Sequence, residues 1–138
     1  MQKIIVVGLG PGDYKHLSLE ALEIMKNAEA LVFRTEKHPV VDRIRESGIS
    51  FTCCDDIYNS SESFEETYER ISERILNLCR EKGQIVYAVP GHPLVAEKSV
   101  ELIMAKAGGD IQVRIIPALS FIDVILSALK IDPIYGLK

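Results

Sequence analysis

Five short apolar runs, Lys3 to Val7, Ala30 to Phe33, Ile49 to Thr52, Ile85 to Val89 and Ile111 to Ile116, alternate with stretches of helical period. This alternation limits the fold more than any other feature of the chain. The first run, Lys3 to Val7, is dense in β-branched residues and ends at glycine, which suits a strand buried on both faces. Strands separated by helices pair in parallel, through right-handed crossovers that cover both faces of the sheet. The expectation is an α/β domain of three layers, α/β/α, around a five-stranded parallel sheet.

The helical stretches have their own punctuation. Leu17 to Ala28 repeats apolar residues at helical spacing, with Ser18 as N-cap and Glu20 in the first turn. Pro39 suits the first position of a helix that runs to Ser47 and stops at Gly48. Cys54 to Glu62 reads as a polar, turn-prone connector. Ser63 and Glu66 form a capping-box pattern ahead of a helix ended by Lys82-Gly83. Its apolar stripe is Phe64, Tyr68, Ile71, Ile75 and Cys79, opposite a charged face from Glu65 to Arg74. Two further helices are expected over Leu94 to Ala107, ending at Gly108-Gly109, and over Leu119 to Leu129.

Composition excludes several classes. The chain has 138 residues, enough for one domain with a sizeable core. It has no apolar run near the roughly 20 residues of a membrane span and no signal-peptide pattern, so a cytoplasmic protein is expected. The net charge of −4 and the lack of a basic patch argue against a nucleic-acid surface. Cys53, Cys54 and Cys79 fit no metal spacing, and His16 and His38 lack partners, so no metal is expected.

Two loops stand out. Gly8-Leu9-Gly10-Pro11-Gly12-Asp13 follows the first strand, and Pro90-Gly91-His92-Pro93 follows the fourth. Glycines let backbone approach a ligand, and in parallel sheets ligands bind beyond the carboxyl ends of strands. If strands one and four are adjacent, both loops face one crevice. A dinucleotide fits poorly: Gly12 comes one residue early for G-x-G-x-x-G, Pro11 removes an N–H, and Arg34 precedes the acid Glu36. S-adenosylmethionine carries no phosphate and needs no such cradle. Plainer roles stand beside these: a tight turn for the glycines, local capping for Asp13, a backbone-bonded loop histidine for His92, and an N-cap for Ser120.

Three motifs in order resemble the tetrapyrrole methylase family. Gly8 to Asp13, with Leu17-Ser18 and Ala21-Leu22, is similar to its opening. Pro90-Gly91-His92-Pro93-Leu94-Val95 resembles its second signature, usually Gly-Asp-Pro, and Ile116-Pro117-Ala118-Leu119-Ser120-Phe121 its third, usually Pro-Gly-Val/Ile-Ser. The resemblance implies the first domain of that fold, with strand order 3-2-4-1-5, and methyl transfer from S-adenosylmethionine bound between this domain and a second one. It implies Pro11, Gly91, His92, Val95, Ser120 and Phe121 around the cofactor, and Gly10, Gly12 and Asp13 on the substrate side. It names no catalytic residue and leaves the acceptor open, with tetrapyrroles and nucleotide-linked small molecules as candidates. The partners it implies are the C-terminal domain of the same polypeptide and, as an assembly to test, a homodimer. Pro-Gly-His-Pro, Ser120 to Asp123 and Ile131-Asp132-Pro133 most resemble the methylase-like domain fused ahead of MazG-type nucleoside triphosphate pyrophosphohydrolases. That branch suggests the alternative of a regulatory docking domain. The chain departs from the family pattern at His92, where an acid is usual, and at Ala118, where glycine is usual. Its ending at Asp132 to Lys138, just after a complete helix, suggests a domain of a longer protein.

Overall fold

The computed structural model describes residues 1–136. Leu137 and Lys138, the end of the stretch read above as a domain junction, lie outside the described residues. Five strands, β1 (Gln2–Gly8), β2 (Leu31–Phe33), β3 (Thr52–Cys53), β4 (Gln84–Val89) and β5 (Ile111–Ile116), form one sheet of order β3-β2-β4-β1-β5. Every pairing is parallel. The helices are α1 (Leu19–Lys26), α2 (Pro39–Glu46), α3 (Asp55–Ser60), α4 (Phe64–Lys82), α5 (Lys98–Lys106) and α6 (Phe121–Leu129). Among the described residues, no helix is long and apolar enough to cross a membrane.

Alternation along the strands builds two cores. Ile4 and Val6 of β1, and Ile85, Tyr87 and Val89 of β4, face α4 and α5 with Ile71, Ile75, Val100 and Ile103. Ile5 and Val7, with Leu31, Phe33, Val86 and Ala88, face α1 and α2 through Met25, Val40, Val41 and Ile44. Both faces of β1 and β4 are therefore dry, as their near-continuous Ile and Val demand. Each fully buried branched side chain contributes about 1.5–3 kcal/mol against exposure. The fully buried phenol Tyr87 has its hydroxyl paired with Ser99 Oγ at 2.8 Å, as a buried polar group requires.

The structure corrects several expected boundaries. The third strand is Thr52–Cys53, not Ile49 to Thr52, because Ile49 and Phe51 pack against the α2-side core from the approach to the strand. The Cys54–Glu62 connector contains a helix, α3, which buries Ile57. Helix α1 is shorter at both ends than Leu17 to Ala28, and Ser18 caps it by accepting from Ala21 N–H at 3.0 Å. Helix α5 starts at Lys98 rather than Leu94, since Ala96 takes a left-handed φ of 55° that breaks any helix there. Helix α6 starts at Phe121 rather than Leu119. In α4, Phe64 is 74 % exposed and outside the stripe, whereas Thr67, Ser72 and Leu76 are buried within it. Ser63 caps α4 by accepting from Glu66 N–H at 3.1 Å, but Glu66 reaches the N–H of Glu62 at 3.0 Å instead of closing the box on Ser63.

Candidate functional site

The two Gly/Pro loops meet at the carboxyl rim of the sheet. Strands β1 and β4 are adjacent, with Gly8 opposite Val89. Beyond them the chains stay joined: Leu9 N–H donates to Val89 C=O at 2.8 Å, Gly91 N–H to Gly10 C=O at 2.8 Å, and Gly10 N–H to Gly91 C=O at 3.3 Å. Gly10 and Gly91 thus form an isolated antiparallel bridge past the end of a parallel pair. Both residues have positive φ, 78° and 67°, which glycine adopts without a steric penalty.

The third motif closes on the same point. A β-carbon on Gly8 would meet the carbonyl oxygen of Gly91 well inside contact distance, the β-carbon of Ala118 at 2.6 Å and Cδ of Pro93 at 3.0 Å. Gly8 is therefore where all three sequence motifs touch. At Gly10 an added β-carbon would lie 2.9 Å from the carbonyl oxygen of His16, so this loop packs tightly behind as well as in front.

Pro11 and Gly12 are half-buried in the first loop and Asp13 is exposed. Asp13 accepts from Lys15 N–H at 2.9 Å, the local cap of the 3-10 turn Tyr14–His16. Gly91, His92 and Val95 are half-buried in the second loop, where Val95 N–H donates to His92 C=O at 3.1 Å. The His92 ring accepts Leu94 N–H on Nδ1 at 3.0 Å, so its neutral form carries the proton on Nε2. Ser120 is buried and caps α6, accepting from Ile122 N–H at 3.2 Å, while Phe121 beside it is exposed.

Four residues of the rim lie outside the motifs. His38 caps α2, accepting Val40 N–H on Nδ1 at 3.1 Å, which leaves Nε2–H to donate to Gly10 C=O at 3.1 Å. Burial, assisted by Arg34, pulls the His38 pKa down despite the bond to Gly10. The clue was its place before Pro39, where an N-cap belongs. Asp123 completes a capping box, accepting Ser120 N–H at 2.7 Å, and these bonds hold its carboxyl below the usual range. Its signal was the Ser120-to-Asp123 spacing. Arg34, just beyond β2, faces Glu97, the N-cap of α5, with Nε 3.2 Å from Oε2. Glu97 Oε1 also accepts from Ser99 Oγ at 2.7 Å. Burial pushes the Glu97 carboxyl up against the pull of Arg34, which itself stays protonated. No local pattern in the sequence marks this pair.

Glu36, Cys53 and Asp55 place one ligand atom each within 4.8 Å of one another. Both Asp55 oxygens are engaged, by Thr35 Oγ1 at 2.6 Å and Glu36 N–H at 2.7 Å, and Glu36 pairs with Arg45 at 3.0 Å. These donors already serve the fold.

Comparison with known proteins agrees with this geometry. The profile of the Tetrapyrrole (Corrin/Porphyrin) Methylases matches residues 3–136. The protein YabN of Bacillus subtilis is 37 % identical over 99 % of this chain, which spans 28 % of YabN. The uroporphyrin-III C-methyltransferase of Thermus thermophilus superposes with a TM-score of 0.65 at 25 % identity, over 95 % of this chain and 54 % of that one. The Thermus enzyme complexed with S-adenosylhomocysteine superposes at 0.64 and 19 % identity, over 91 % of this chain and 47 % of that one, a likeness of fold. The chain thus spans under a third of the length of the curated relatives it matches and about half of the solved methyltransferases. With its three motifs gathered at one rim, this chain belongs to the tetrapyrrole methylase family.

Proposed function

We propose that this domain binds S-adenosylmethionine at the rim formed by Gly8, Gly91 and Ala118 and serves methyl transfer to a small-molecule acceptor. The observation that carries the reading is the contact of all three motifs at Gly8, where a single β-carbon would fill the cradle. The residues suit a phosphate-free ligand: neither loop, from residue 8 to 13 or from 89 to 95, carries a lysine or arginine. Pro11, Gly91, His92, Val95, Ser120 and Phe121 hold the adenosyl and amino-acid parts through backbone groups and apolar contact. Gly10, Gly12 and Asp13 line the acceptor side. The bound cofactor supplies a methyl group on a sulfonium. The chain's residues then hold acceptor and methyl in line at near-attack distance, which accounts for most of the acceleration such a displacement needs.

The other half of the cleft comes from further chain. No residue of α6 is buried, and Phe121, Ile125, Leu129 and Ile134 present an apolar face beside the cofactor rim. A second domain, packed on α6, completes the pocket in this reading. Calorimetric titration of the full polypeptide with S-adenosylhomocysteine tests it. Saturable micromolar binding that His92→Ala weakens supports the site, and no heat at millimolar ligand rejects it.

A second reading rests on His92. With Nδ1 engaged by Leu94 N–H, this ring offers a donor where the family's usual acid offers acceptors. A regulatory domain of a MazG-type pyrophosphohydrolase, sensing a metabolite at this rim, would have that freedom. A hydrolase domain in the same polypeptide whose rate changes when residues 1–138 are deleted would favour it over methyl transfer.

A further inference from the structure

Gly8, Gly10 and Gly12 leave the first loop little restraint of its own. Helix α2 supplies restraint from behind. The carbonyl oxygen of Gly10 accepts two hydrogen bonds, from Gly91 N–H at 2.8 Å and from His38 Nε2–H at 3.1 Å. Both its lone pairs are then used, which fixes the Gly10 peptide in one orientation. The other ring nitrogen, Nδ1, takes the N–H of Val40 at 3.1 Å, in the first turn of α2. A neutral imidazole has one donor and one acceptor, and this ring uses each on a different element. Further along α2, the guanidinium of Arg43 lies over the ring of Tyr14, 4.3 Å from its centroid. The 3-10 turn that follows the loop therefore rests on the same helix.

We propose that His38 is a positioning residue: its bond to Gly10 holds the Gly10–Gly91 bridge, and with it the join between the two loops, in the geometry that receives the cofactor. His38 touches no ligand itself and acts through Gly10. Glycine-rich backbone that orders only on binding loses conformational entropy at that moment, and a loop held beforehand avoids the loss. The bridge alone is a weak restraint. Its bond from Gly10 N–H to Gly91 C=O is 3.3 Å, long for an amide pair, and both partners are glycines at positive φ, with the widest backbone freedom. A ring anchored through its second nitrogen to the cap of a helix is a firmer support, because that second bond fixes the orientation and tautomer of the imidazole. The identity of the ligand rests on the S-adenosylmethionine reading. The hold on Gly10 does not.

Two substitutions divide the roles of the ring, since an asparagine amide reaches about as far as Nδ1 and a glutamine amide about as far as Nε2. His38→Asn keeps a good N-cap for α2 but has no donor long enough for Gly10. His38→Gln carries a donor to Gly10 and gives up the cap. The full polypeptide, as parent and as each variant, is titrated calorimetrically with S-adenosylhomocysteine. Urea unfolding and the amide exchange of Gly91, which donates to the same carbonyl as His38, are measured on the same samples. His38→Asn is expected to unfold at the parent's urea midpoint, to bind about fivefold more weakly through the loss of one hydrogen bond, and to exchange Gly91 faster. His38→Gln is expected to match the parent in affinity and Gly91 exchange while unfolding at lower urea. A role confined to the fold gives the opposite order, with affinity falling in step with stability and most in His38→Gln. That order, or a His38→Asn that matches the parent in affinity or in Gly91 exchange, overturns the proposal. If the parent binds no S-adenosylhomocysteine at millimolar ligand, the cofactor reading falls and exchange alone decides the hold on Gly10. Faster Gly91 exchange in His38→Asn only then supports it, and equal exchange in both variants overturns it.

Discussion

Gly8 and Ala118 stand so close that a β-carbon on Gly8 would lie 2.6 Å from the methyl group of Ala118. The end of β1 and the approach to α6 are therefore pressed together with the β4 loop between them. The site depends on that closeness, because it lets three separate stretches of sequence share one surface.

Gly8→Ala should therefore destabilise the fold by about 3 kcal/mol, at the upper end for overpacking, because backbone rather than a flexible side chain must move. Gly48→Ala is the matched control. Its φ of 79° is also unfavourable for alanine, but nothing lies within 4 Å of the added carbon, so it should lose only about 1–2 kcal/mol. Urea unfolding of the two variants measures the difference. Equal losses would mean that the contact at Gly8 is not tight.

His38 connects the β2–α2 crossover to the first loop through Gly10. Burial lowers its folded pKa below the ordinary histidine value of about 6.5. The unfolded chain then takes up this proton first, so the stabilisation is fully present above about pH 6.5 and is lost as pH falls toward the folded pKa. Unfolding free energies of the parent and His38→Gln, measured from pH 5 to 8, should differ by a constant above pH 7. The gap should shrink below pH 6.5. His38→Ala also removes the cap and should lose about 1 kcal/mol at neutral pH.

The Arg34–Glu97 pair should show strong coupling. Glu97→Gln leaves a mostly buried guanidinium without its counter-charge and should lose on the order of 3 kcal/mol. Arg34→Met with Glu97→Gln together should lose less than the sum of the two single changes. A double-mutant cycle by denaturant unfolding measures this, and strict additivity would show that the charges do not interact.

Helix α6 presents apolar residues that no described residue covers. Expressed as residues 1–138 alone, the protein should bind an apolar dye and self-associate. Ile125→Lys with Leu129→Glu should reduce both effects with little loss of stability, since these residues are exposed. Light scattering and dye fluorescence check it.

Much of this was legible from residue order. Strands β1 and β4 were readable because burial on both faces demands continuous Ile and Val, and the edge strand β5 because Ile and Val alternate with exposed Gln112 and Arg114. Their adjacency, and the neighbouring order of β1 and β4, followed from the family resemblance and is present in the sheet. Helix α3 was not legible, since six residues with one buried isoleucine have too little periodicity to stand out from a turn. The start of α5 was obscured by an alanine in a left-handed conformation, which no local rule anticipates. In the site, the glycine loops were readable because close approach excludes a β-carbon. Arg34 and Glu97 were not, because their pairing joins two segments far apart in the chain.

The central claim is that the three motifs together form the floor for S-adenosylmethionine. Amide chemical-shift mapping of the full polypeptide, titrated with S-adenosylhomocysteine, tests it most directly. The account predicts saturable shifts concentrated at Gly8, Gly91, His92, Val95, Ser120 and Phe121. No saturation at about 1 mM ligand, or shifts confined to the amino-end rim of the sheet near Glu29 and Lys82, would contradict it.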